Sequence, residues 1–160
     1  ICTEIGIDRV IPWASQRAIV QWRGPKAEKG RAKWEGVARA AAKQSRRAYV
    51  PVVEAVTDSR ELASWVRALT DEAGAAFVCH EEATQSLGAA LARVQGDATD
   101  GSLPARVALI VGPEGGIGPE ETAQLVAAGA RTVGLGANVL RSSTAGAVAL
   151  TLIRAAVGAY

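Results

Sequence analysis

The chain has 160 residues, 49% hydrophobic and 21% charged, with a formal net charge of +2. A chain of this length buries roughly 70% of the surface its unfolded form exposes, and the composition is that of one packed domain. It excludes a disordered tail, a disulfide-stapled miniprotein and a low-complexity segment. No apolar run approaches the roughly 18 residues a membrane span needs, and the opening Ile1-Cys2-Thr3-Glu4 lacks the basic start of a secretory leader.

Residues 9–13, Arg-Val-Ile-Pro-Trp, read as a short strand, and Arg17-Ala18-Ile19-Val20 is a second apolar run. Residues 21–30 are polar and contain Gly24, Pro25 and Gly30, which predicts a loop. Over residues 31–45, Trp34, Val37, Ala38, Ala41 and Ala42 recur at helical spacing and predict one buried face, with Lys33, Arg39, Lys43, Arg46 and Arg47 on or after the other faces. Residues 52–56 predict a strand, and Asp58 or Ser59 caps a helix running through Trp65 and Leu69. Residues 75–79 predict a buried strand ending at His80-Glu81-Glu82, followed by a weaker helix over 87–94 and a surface loop over 95–105. Residues 107–111 are fully apolar and predict another buried strand. The next helix, 119–128, opens on Pro119 with Glu120 and Glu121 beside the positive end of its dipole, and Gly129 ends it. Residues 132–135 form the last predicted strand, 136–142 a loop, and 143–157 a helix apolar nearly all round and so expected to be buried on more than one side. Alternating strands and helices predict an α/β fold, a mostly parallel sheet flanked by helices, in one domain spanning 1–160 without linker or repeat.

The small net charge conceals an asymmetry. Residues 1–50 carry eleven Lys and Arg against four Asp and Glu, a balance of +7; residues 51–160 carry seven against twelve, a balance of −5. Fourteen of the 18 cations are Arg, which grips phosphate bidentately and stacks on bases. A basic half points to nucleic acid, with a solvated face as the plainer alternative. Cys2 and Cys79 match no metal-ligand spacing and His80 is the only histidine, so no metal is expected. The thiols are expected to be buried and free, a disulfide between them remaining open.

Two strand-to-helix loops carry the chemistry. The first, Gly112-Pro113-Glu114-Gly115-Gly116-Ile117-Gly118-Pro119, is neither a Walker loop nor a dinucleotide fingerprint, because no Lys-Ser/Thr follows and Pro113-Glu114 interrupts the glycine pattern. Glu114 would repel a pyrophosphate, so the loop suits a ligand with a cationic or neutral polar part; an ordinary glycine-rich turn is the alternative. The second runs from Leu135 through Gly136, Ala137, Asn138, Val139 and Leu140 to Arg141-Ser142-Ser143-Thr144. Arg141 precedes a helix N-terminus, where a cation is disfavoured, so it either meets a phosphate or substrate carbonyl or points into water. Ser142, Ser143 and Thr144 compete as N-cap.

These loops, in this order, resemble those of the SPOUT methyltransferases, and most closely the family that methylates N3 of a uridine in 16S ribosomal RNA. The matching pieces are Leu109-Ile110-Val111-Gly112-Pro113-Glu114-Gly115-Gly116, Leu135-Gly136 and Val139-Leu140-Arg141 with Thr144-Ala145. Upstream, Thr3-Glu4-Ile5-Gly6, Ile11-Pro12, Ser15-Gln16-Arg17 and the run from Trp34 through Gln44-Ser45 and Arg47 to Pro51 also match. Lys43 stands where the family usually has Glu, Arg46 where it has Gly, and Ser143 where it often has Glu. The resemblance implies a C-terminal trefoil knot, a homodimer and S-adenosylmethionine as cofactor. It implies cofactor contacts from His80, Glu81, Gly112, Pro113, Glu114, Gly115, Gly116, Leu135, Gly136, Asn138, Val139 and Leu140. Arg141 is expected to bind the uridine phosphate or the uracil oxygen that gains charge. Glu114 is expected to orient the cofactor or take the proton. Arg17, Gln44, Arg46 and Arg47 are expected to contact RNA in the small ribosomal subunit. The family also carries an N-terminal barrel domain similar to PUA domains; the chain has no Met and is expected to be a piece of a longer, cytoplasmic protein that includes that barrel. Other classes consistent with the residues are an enzyme of the same superfamily methylating a ribose oxygen and a non-catalytic RNA-binding domain.

Overall fold

Ala75-Ala76-Phe77-Val78-Cys79 has no charged residue because it is the central strand of a three-stranded parallel sheet covered on both faces. The computed structural model describes residues 1–160. In chain order the elements are α1 (Cys2–Ile5), β1 (Arg9–Val10), α2 (Pro25–Gln44), β2 (Val52–Val53), α3 (Ser59–Asp71), β3 (Ala75–Cys79), α4 (Leu87–Asp97), β4 (Val107–Val111), α5 (Pro119–Ala127), β5 (Arg131–Val133) and α6 (Ser142–Ala156). The sheet order is β4-β3-β5, and β1 and β2 form a separate parallel pair extended by a bridge from Trp13 to Thr57.

Side chains alternate across β3, and the two cores follow from that alternation. Ala76 and Val78 face α3 and α5, packing with Leu62, Val66, Leu69, Ile110 and Leu125. Phe77 faces the other way, into Leu87 and Leu91 of α4 and Ala149 and Ile153 of α6. Asp58 caps α3: its Oδ1 accepts from the Glu61 N–H at 2.8 Å while Glu61 Oε2 accepts from the Asp58 N–H at 3.1 Å. No helix is long and apolar enough to cross a membrane.

Several boundaries depart from the sequence pattern. Helix α2 begins at Pro25, not residue 31. Pro25 sits in the first turn, where its missing N–H is no loss, and Gly30 is a packing site rather than a breaker: a Cβ there would lie 2.6 Å from Cε2 of Trp22. Trp22 in turn meets Trp34 edge to face, ring centroids 4.9 Å apart. The run 17–20 forms no strand; Ile19 is 82% and Val20 71% exposed. Helix α4 continues to Asp97 into the expected loop, and the strands over 9–13, 52–56 and 132–135 shorten to two, two and three residues. Helix α6 packs against α1, β4 and α4 and buries Ala145, Ala149, Leu150 and Ile153, while Leu152 stays exposed. Both cysteines are free, and both are half-buried rather than buried.

Candidate active site

Cys79 pairs with both Val111 and Val133, so the three strands end level and their following loops leave from one edge of the sheet. That edge, at the carboxyl ends of strands whose order reverses about β3, is where open α/β sheets bind ligands. The His80 N–H donates to the Val133 carbonyl at 3.0 Å, Gly134 N–H to the Gln85 carbonyl at 2.8 Å, and Leu87 N–H to the Gly134 carbonyl at 3.0 Å. These bonds lace the β3–α4 loop to the start of the β5–α6 loop. His80 is half-buried with Nδ1 accepting from the Glu82 N–H at 3.2 Å, and Glu81 is exposed beside it.

Residues 113–116 close a tight turn, the Gly116 N–H donating to the Pro113 carbonyl at 2.9 Å. Gly115 sits at a close approach: a Cβ on it would lie 3.0 Å from the carbonyl oxygen of Arg17 and press the two segments apart, and Arg17 Nη1 donates to the Gly115 carbonyl at 3.4 Å. The segment 15–17 therefore lies against the glycine turn, which brings Arg17 into the site.

The second loop differs. From Leu135 to Leu140 no main-chain N–H or C=O has a partner within the protein. Such groups require partners, from solvent or from a ligand. Ser142 does not cap α6. Its hydroxyl donates to Glu114 Oε1 at 2.7 Å, tying the two loops together, and the residue at the cap position is Arg141, whose main-chain carbonyl accepts from Thr144 and Ala145 at 2.8 Å each. The Ser142 hydroxyl, with help from the backbone, holds the Glu114 carboxyl below its ordinary 4.5. The Arg141 side chain is exposed at this junction with no carboxylate within ion-pair distance.

The expected RNA contacts separate. Gln44 and Arg46 are exposed at the end of α2. Arg47 is not available as expected: its Nη1 donates to the carbonyls of Thr3 and Ile7, and its Nη2 pairs with Asp8 at 3.0 Å. It closes the α1 loop onto α2, because three acceptors surround a guanidinium whose side chain is only 17% exposed. Glu121 is the residue sequence reasoning placed too weakly. It reads as a helix-dipole acid, yet it is 1% exposed; its three residues' distance from Gly118, a capping-box spacing, was the available signal. No three His, Cys, Asp or Glu side chains come together as a metal site would require.

A parallel sheet with two loops leaving the edge at which open sheets bind ligands is the architecture of an α/β ligand-binding domain. A family model for the RNA methyltransferase domain matches residues 1–154, and the chain belongs to that family. It is 44% identical over 150 residues, 94% of its length, to the ribosomal RNA small subunit methyltransferase E of Mycobacterium bovis, covering 54% of that protein. It is 31% identical over 151 residues to the Bacillus subtilis enzyme of the same name, covering 94% of this chain and 57% of that protein. The chain thus spans about half the length of the curated relatives it matches. Among solved structures, the Neisseria gonorrhoeae ribosomal RNA small subunit methyltransferase E bound to S-adenosyl methionine superimposes with a TM-score of 0.77 at 28% identity, over 96% of this chain and 57% of that one.

Proposed function

We propose that this chain is the methyl-transfer domain of an S-adenosylmethionine-dependent enzyme acting on N3 of a uridine in 16S ribosomal RNA. The observation that carries the reading is the run of unpaired main-chain groups from Leu135 to Leu140, set at the same sheet edge as the Gly112–Gly116 turn. Unpaired N–H and C=O groups in sequence suit the edge of an adenine, and the absence of any Lys or Arg in either loop before Arg141 suits a cofactor without phosphates. Main-chain groups of Leu135, Gly136, Asn138, Val139 and Leu140 would hold the base, and Gly112, Pro113, Glu114, Gly115 and Gly116 the ribose and methionine portion, with His80 and Glu81 closing the third side. The names of the two bacterial relatives support small-subunit ribosomal RNA as the substrate, and the cofactor in the gonococcal structure supports S-adenosylmethionine as the methyl donor.

S-adenosylmethionine, when bound, supplies a methyl group made electrophilic by its sulfonium. The protein's task is to align it with uracil and to stabilise the negative charge that uracil gains when N3 loses its proton. Arg141, cationic and unpaired at the junction of the loops, fills the second role. Glu114 orients the cofactor: a carboxyl held below its ordinary value is ionised at neutral pH but a poor proton acceptor, which argues against it as the base. Arg17, Gln44 and Arg46 contact the RNA. The exposed apolar side of α6, with Leu152 and Ala155, supports a homodimer. Calorimetry with S-adenosylhomocysteine tests the cofactor assignment: one site per chain is expected, and no binding overturns it.

A further inference from the structure

Glu121 is more deeply buried than its capping role requires. In α3 the same local task, accepting the main-chain N–H three residues earlier, is done by an exposed carboxylate, Glu61. Glu121 also accepts from the Gly118 N–H, at 3.1 Å, but its other oxygen reaches two distant segments. Oε1 accepts from the Gln16 N–H at 2.9 Å and from the Ser59 hydroxyl, and Ser59 Oγ in turn accepts from Trp13 Nε1 at 3.1 Å. No Lys, Arg or His lies within ion-pair distance of it. A buried carboxylate without a cation is costly and is retained only where several donors converge on it. Here the donors come from three places: the N-terminus of α5, the N-terminus of α3, and the segment that carries Arg17.

The segment held by Glu121 is the one lying on the glycine turn. Gln16 is fixed through its N–H, and the next residue, Arg17, presses its carbonyl toward Gly115 and donates to the Gly115 carbonyl. Gly118, fixed by the other oxygen, follows that turn by two residues as the N-cap of α5. We propose that Glu121 is a positioning residue for methyl transfer: one carboxylate sets the Arg17 segment, on the RNA side, at a fixed place against the Pro113–Gly116 turn and the start of α5, on the cofactor side. This rests on the methyl-transfer reading above. Glu121 touches neither substrate and acts through Arg17 and the turn.

The test is a cycle of Glu121→Gln and Arg17→Ala. The amide places an N–H₂ against main-chain donors, so Gln16 or Gly118 loses its acceptor while side-chain volume is kept. Two readouts are taken on the chain: amide hydrogen exchange, and single-turnover methyl transfer from S-adenosylmethionine to small ribosomal subunits. E121Q is expected to speed exchange at Gln16 and Gly118 at least tenfold with Phe77 and Val78 unchanged, and to slow transfer about tenfold with S-adenosylhomocysteine affinity within threefold. In the R17A background E121Q should slow transfer less than threefold further, because the residue it acts through is gone. Additive losses, or unchanged exchange at Gln16, overturn the proposal. Should E121Q not fold, Ser59→Ala weakens the same carboxylate network from the α3 side and enters the same cycle, with the same non-additivity expected. If the unmodified chain transfers no methyl group while exchange behaves as expected, the methyl-transfer reading fails and the positioning of the segment stands.

Discussion

Arg46 offers a quantitative test that joins stability to function. Helix α2 ends in a Schellman arrangement: the Arg47 N–H donates to the Ala42 carbonyl at 2.9 Å and the Arg46 N–H to the Lys43 carbonyl at 3.3 Å. The residue between, Arg46, has φ +55°, the left-handed conformation that glycine adopts freely and that costs an L-residue roughly 1–2 kcal/mol. Glycine is usual at this position in the family the sequence resembles. Arg46→Gly relieves that strain but adds unfolded-state entropy of about 0.5–1 kcal/mol, for a net gain of about 0.5–1 kcal/mol. For a domain of this size that raises the melting temperature by about 1–4 °C. Arg46→Ala removes the same charge and keeps the strain, so its melting temperature should stay within about 1 °C of the parent. Both variants should weaken RNA binding equally and flatten the log–log salt slope by about one unit, one lost phosphate contact each. Arg47→Ala should do the reverse: it leaves the Thr3 and Ile7 carbonyls without their donor, costing about 1–3 kcal/mol, with the salt slope unchanged. Calorimetric melts and salt-titrated binding decide it. If R46G melts no higher than R46A, the strain argument is wrong; if neither changes the salt slope, the end of α2 is a solvated face.

Two further outcomes concern protonation. The Glu114 carboxyl, held low by Ser142, contributes stability that is present above its ordinary 4.5 and is lost as pH falls through the lower folded value. Its carboxyl resonance should titrate at higher pH in Ser142→Ala than in the parent, and an unchanged midpoint would show that the hydroxyl is not the cause. Burial pushes the Cys79 thiol up to about 11, so at pH 8 it is protonated and a poor nucleophile. Iodoacetamide at pH 8 should leave Cys79 unmodified in the folded chain by mass spectrometry and modify it once the chain is unfolded; rapid labelling of the folded chain would contradict its burial.

The long apolar segments were legible because burial on two faces leaves no choice of residue type. β3 and β4 fall where the apolar runs 75–79 and 107–111 predict them, and α3 and α5 close to where their end signals do, Asp58 before Trp65 and Leu69, and Pro119 before Gly129. The start of α2 was not, because local rules read Pro25 and Gly30 as breakers while Trp22, eight residues from Gly30, decides the outcome through packing. The two loops were recognisable as a pair, but what joins them was not. Ser142 reads locally as a cap candidate, and only the fold brings Glu114, 28 residues earlier, within 2.7 Å. Arg47 belongs to a basic run whose function looks uniform in sequence, yet residues 3–8 claim its guanidinium and leave Arg46 in solvent. Glu121 shows the same limit: its partners Gln16 and Ser59 are 105 and 62 residues away.

The claim that the Leu135–Leu140 and Gly112–Gly116 loops serve methyl transfer to a uracil nitrogen is tested most directly by the product. Small ribosomal subunits lacking the modification are incubated with the chain and S-adenosylmethionine labelled in its methyl group, the 16S RNA is digested to nucleosides, and the label is located by chromatography and mass spectrometry. The account predicts label in 3-methyluridine alone, abolished by S-adenosylhomocysteine and lowered by Arg141→Ala. Label in a ribose-methylated nucleoside, or no transfer at any concentration of the chain, would contradict it.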